Sequence, residues 1–208
     1  MLIDFHSHHP ASNAIVCTAD AAEPAKAPAI LRCAGLLPDC WTAKKQDLLF
    51  DLLESRKDLQ MGEIGLDRRF ESILPMDRQT EILKQEISFA AAMERCISLH
   101  CVRATKPMLD ILKELRFRPY SILWHGFTGS PETAAILGKL KVLISIGPRF
   151  SGEISELLKV SPFIVPETDY EGSDDSEHKE ILRKQYLRFP ENYPQKAEEF
   201  FRLFSTGC

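Results

Sequence analysis

The 208-residue chain has no C-x-x-C pair, no surplus of basic residues and no long apolar run. Without a stretch near the ~20 residues that span a bilayer, no transmembrane helix and no membrane partner is expected. The first residues, Met-Leu-Ile-Asp-Phe-His, lack the basic and apolar regions of a secretory leader, so the expected location is cytoplasmic. Cys17, Cys33, Cys40, Cys96, Cys101 and Cys208 follow no framework spacing and read as reduced thiols. With 26 basic against 30 acidic residues, the net charge is -4. That argues against a protein holding nucleic acid by general electrostatic attraction. A nuclease stays open, because bound metal ions would supply positive charge locally.

What is present is ordinary for a globular protein with a sizeable core: 44% hydrophobic and 27% charged residues. The length suggests one domain over residues 1–208. The informative pattern lies at the ends of short apolar runs. M-G-E-I-G-L-D over residues 61–67 delivers Glu63, with a glycine on either side of its E-I pair. The runs ending in His6 and His8, His100, His125 and Asp169 have the same form. His6 and His8 lie two apart, so on an extended backbone they share one side.

From residue 42 onward, helical and strand patterns alternate. Leu48, Leu49, Leu52 and Leu53 form a helical stripe, and Asp77 is placed to cap the helix carrying Leu83 and Ile87. Pro107, Ser130-Pro131 and Pro194 mark later helix starts. Such alternation implies parallel strands with crossover helices. Candidate strands at 2–6, 14–19 and 29–37, with an Ala/Pro-rich passage at 20–28, leave no room for full early helices. Eight strands in all suggest a shortened (β/α)8 TIM-like barrel, with ligand-type residues on strands one, four, five, six and eight. A doubly wound open sheet is the alternative, but a flat sheet would spread five strand ends apart.

Singly, each of these side chains has an ordinary reading: H-x-H by chance, Glu63 in a rim salt bridge, His100 or His125 in the core, Asp169 capping a turn. Together, at equivalent strand ends, they point to a metal site. Four imidazoles and two carboxylates exceed what one ion takes from protein, so two divalent ions sharing a carboxylate are expected. Nitrogen and oxygen donors together suit zinc or manganese better than magnesium. Arg68, Arg69, Arg103 and Arg149 follow strand ends, where they could bind phosphate or simply face solvent. Cys101 beside His100 reads as packing, and His178, in a charged helix, as solvated.

These residues resemble the TatD-type metal-dependent hydrolases, deoxyribonucleases of the amidohydrolase-like barrel superfamily. D-F-H-S-H at 4–8 is similar to the family's D-x-H-x-H, and G-E-I-G-L-D at 62–67 to its signature. Leu99-His100, H-G-F-T-G-S at 125–130 and E-T-D at 167–169 resemble its later motifs. The resemblance implies that His6, His8, Glu63 and Asp169 hold one ion, and Glu63, His100 and His125 the other. It implies a water, activated by the ions, attacking a phosphodiester, with Asp169 orienting it or taking its proton. Members are described as magnesium-dependent 3' exonucleases on DNA, so the ion could be magnesium, manganese or zinc. Three departures stand out: Arg103 is shifted by one from the family's position, Glu171 replaces a proline, and G-L-L-P at 35–38 replaces G-x-H-P. On a strand, that shift would turn Arg103 to the other side. The alternatives are hydrolysis of another ester or amide on the same metals, or a metal-binding partner protein without turnover.

Overall fold

The computed structural model describes residues 1–20 and 28–206. Most of the Ala/Pro-rich passage and Cys208 lie outside them. Eight strands form one parallel sheet in sequence order: β1 (Asp4–Ser7), β2 (Ala11–Thr18), β3 (Ala29–Ala34), β4 (Leu59–Asp67), β5 (Ile97–Val102), β6 (Ile122–Trp124), β7 (Leu143–Ile146) and β8 (Ile164–Pro166). The sheet curls into a nearly closed barrel. The last gap is bridged just past the strand ends, where Asp169 N–H donates to His6 O at 2.9 Å and His8 N–H to Tyr170 O at 3.0 Å. This is the expected barrel, and its strand ends converge.

Helices α1 (Ala43–Ser55), α2 (Met76–Ala92), α3 (Thr105–Glu114), α4 (Pro131–Lys139), α5 (Ile154–Val160), α6 (Asp175–Tyr186) and α7 (Tyr193–Ser205) cover the later strands. No helix of the structure is long and apolar enough to cross a membrane. Parallel strands ordinarily need a crossover of about a dozen residues. Here His8, His9 and Pro10 alone join β1 to β2, and the β2–β3 register shifts between Ala11 and Ile15. Among the described residues, no helix stands between β1 and β3.

Buried apolar side chains fill the space between sheet and helices. In α1, Leu49 and Leu53 are buried whereas Leu48 is exposed, so the apolar stripe leans to one side. Thr42 and Ser130 cap α1 and α4 through their hydroxyls. Asp77 does not cap α2: the capping position is Pro75, and Asp77 lies in the first turn, where it complements the helix dipole. Cys17, Cys33, Cys40 and Cys101 are free thiols, but Cys96 is disulfide-bonded, which overturns the reduced reading at that position.

Candidate metal centre

Glu63 sits on the fully buried strand β4, and its neighbouring glycines let β5 come close. A Cβ on Gly65 would lie 1.9 Å from the His100 carbonyl oxygen, and one on Gly62 2.7 Å from Ser98 Cβ. That proximity brings His100 onto Glu63. Glu63 Oε1 lies 2.6 Å from His100 Nδ1 and 2.7 Å from His125 Nε2. Its other oxygen, Oε2, faces the β1 pair, 3.4 Å from His8 Nε2 and 3.9 Å from His6 Nε2. Asp169 Oδ1 is 3.6 Å from His8 Nε2 and 3.7 Å from His6 Nε2.

These last separations are too long for hydrogen bonds. They are the spacing of neighbouring ligands that each stand about 2.0–2.2 Å from a shared ion. Two buried ring nitrogens, His6 Nε2 and His125 Nδ1, have no hydrogen-bond partner. Buried polar atoms rarely go unpaired without a reason, and an ion would provide one. Donor atoms gather within 4.8 Å in three sets: His6, Glu63 and His125; His6, His8 and Asp169; His125, Glu167 and Asp169. His100 belongs to none of these sets and reaches the site through Glu63. The donor chemistry fits divalent metal.

Hydrogen bonds behind the donors fix their orientation. His8 Nδ1 donates to Cys17 O at 3.1 Å, which leaves Nε2 as a bare lone pair toward Glu63 and Asp169. His6 Nδ1 meets Ser98 Oγ at 3.0 Å. His100 Nε2 meets Asp67 Oδ2 at 3.0 Å, and Arg69 holds that aspartate. Burial, then the nearby His125, lowers the His6 pKa and keeps the imidazole neutral. Burial opposes charge on Glu63, but His125 and His100 outweigh it and hold the carboxylate well below its usual range. Burial likewise opposes charge on His100, yet its bonds to Asp67 and Glu63 raise it to about 9.

Three residues matter more than their sequence context suggests. Asp4 is fully buried and accepts hydrogen bonds from His6 N–H at 3.2 Å, Thr168 N–H at 2.9 Å, Thr168 Oγ1 at 2.6 Å and His178 Nε2 at 2.8 Å. It ties β1 to β8 directly behind two candidate donors, His6 and Asp169. His178 is therefore buried, not solvated; its signal was the helical phase it shares with buried Leu182 and Tyr186. Glu167, also buried, accepts from Gly126 N–H at 2.7 Å and Ser145 Oγ at 2.5 Å, and burial raises its pKa.

The donors open into a cleft of about 760 Å³ lined by Arg69, Arg103 and Arg149. Arg149 pairs with Asp169. Arg103 follows the end of β5 at φ +54°, so strand alternation does not govern it and it lines the cleft despite its shifted position. Arg68 does not line the cleft: it bonds Arg103 O at 3.0 Å and Glu71 at 3.0 Å. Cys101 lines it too, but burial pushes its thiol up to about 12, too high for a nucleophile at neutral pH.

Residues 11–201 match the family model described as TatD related DNase. Among curated proteins, the human 3'-5' RNA nuclease TATDN2 is 28% identical over 99 residues, 48% of this chain and 13% of that protein. The human deoxyribonuclease TATDN3 is 30% identical over 137 residues, 62% of this chain and 49% of that protein. The chain thus matches less than half the length of either. YJJV, a TatD homolog from Escherichia coli, shares the fold with a TM-score of 0.73 at 22% identity, covering 92% of this chain and 85% of that one. With the family model spanning most of its length and the same barrel beneath it, the chain belongs to the TatD-related DNase family.

Proposed function

We propose that this chain is a metal-dependent phosphodiesterase acting on nucleic acid, releasing nucleotides from a 3' end. The observation that carries this reading is the division of Glu63: one oxygen serves His100 and His125, the other faces His6 and His8. A carboxylate so placed suits a bridge between two ions. His6, His8, Glu63 and Asp169 would hold one divalent ion, and Glu63, His100 and His125 the other, with Glu167 beside His125 and Asp169. When bound, ions of this kind lower the pKa of water and offset charge on phosphoryl oxygens.

The chain's own residues do the rest. Asp169, at the cleft wall, orients the attacking water and accepts its proton, while Arg149 pairs with its Oδ2. A substrate phosphate entering the cleft meets Arg149 on one side and Arg69 and Arg103 on the other. Asp67 keeps the His100 ring fixed throughout. The relatives, one named an RNA nuclease and one a deoxyribonuclease, support nucleic acid as the substrate class and leave the sugar open.

The test is nucleotide release from single-stranded DNA and RNA 3' ends with magnesium, manganese or zinc, a chelator control and Asp169→Asn. Metal-dependent release that the variant abolishes is expected. No release from protein shown to carry metal would overturn the reading.

A further inference from the structure

Beside the metal cleft lies a second cavity of about 370 Å³, formed where the loops after β6, β7 and β8 meet α6. Gly126, Thr128, Arg149, Asp169 and Glu171 border both spaces, so the two adjoin. The character of the wall changes across that border. On the cleft side it is imidazole, carboxylate and guanidinium; on the far side Phe127, Pro148, Phe150, Tyr170 and Ile181 stand beside the polar Glu167 and Thr168. A group bound there would be flat, with apolar faces and polar edge atoms, and joined to whatever phosphate lies at Asp169.

We infer that this cavity is a nucleobase subsite that seats the base of the nucleotide whose phosphate occupies the metal cleft. The inference rests on the phosphodiesterase reading above and names the feature of the substrate that the chain grips. The volume lies at the low end of the ~300–1,000 Å³ typical of small-molecule sites, room for one nucleoside and not for a run of bases. The walls are held from behind. Arg188 donates to Gly147 O at 3.1 Å and Phe150 O at 2.6 Å, and Tyr170 Oη donates to Glu177 at 2.6 Å. A wall already ordered costs little to use on binding. Aromatic and apolar walls take any base by its π-face, so the subsite should prefer a base over none without choosing among bases.

The deciding experiment is calorimetric titration of the manganese-loaded protein with thymidine 5'-monophosphate and with 2-deoxyribose 5-phosphate, which lacks the base. The nucleotide should bind about tenfold tighter or better, the scale of one stacked base. Ile181→Trp, which fills the cavity, should bring the two affinities within about twofold of each other. Pro148→Trp, at an exposed position that also lines the cavity, serves if the first variant does not fold. Equal affinities in the wild-type protein, or an undiminished preference in the filled variant, overturns the subsite. A nucleotide preference in a protein that cleaves no phosphodiester would support the subsite and unseat the hydrolase reading instead.

Discussion

Glu63 faces four imidazoles with two oxygens, and its buried charge touches both halves of the donor set. Glu63→Gln removes that charge while keeping the shape, so it should lose metal and activity together. Metal analysis by mass spectrometry checks this, and retained full metal content would sink the bridging role. The donors were legible in the sequence because each signal is local: an apolar run, then a histidine or acid at its end. The contact of Asp4 with His178 was not, because it joins residues 174 apart and the acids preceding His178 suggest solvent. Loss of that bond is also testable. His178→Phe should lower metal affinity by about 10–100-fold, the usual cost of removing support behind a ligand. His178→Gln, which keeps a donor, should recover part of it; unchanged affinity in the phenylalanine variant would mean that Asp4 holds His6 and Thr168 unaided.

At the scale of elements, the alternation of helix and strand from residue 42 was readable, and so were most helix starts. What escaped reading depends on neighbours in space. Arg103 lines the cleft because its backbone turns left-handed after β5, a change no strand periodicity reports. Gln79 shows the same limit: from α2 it accepts from Asp67 N–H at 2.8 Å and donates to Leu74 O at 2.7 Å, joining the helix to the end of β4. The β4–β5 seam is the tightest such contact near the donors. Gly65→Ala would push a methyl group into the His100 carbonyl, and either strand must move. A loss of about 1–3 kcal/mol in chemical denaturation is expected, with weaker metal binding because His100 moves with its strand. Undiminished stability would show that the seam can open freely.

For the molecule as a whole, the barrel is shortened where β1 meets β2 and joined to β8 by two backbone bonds and the Asp4 cluster, so its stability rests heavily on the helix-covered strands. There, α2 buries Glu86 among Leu83, Ile87 and Ala90, and Glu86 Oε1 has no hydrogen-bond partner. Burial raises this carboxyl well above its ordinary value. The sign follows from proton counting. Between the unfolded and the folded pKa, the folded state binds more protons than the unfolded one, so stability falls as pH rises. The favourable contribution is complete below the unfolded value near 4.5 and is lost as pH climbs through the raised one. Glu86→Met fills similar space without a titrating group, so the variant should gain on the wild type as pH rises. Denaturant unfolding at about pH 5 and about pH 8 should show the gap widening at the higher pH, by on the order of 1–3 kcal/mol, the cost of an unpaired buried polar group. All other titrating groups are common to the two proteins and cancel in the difference. A gap of the same size at both pH values would mean that Glu86 is not buried in the folded protein as α2 places it.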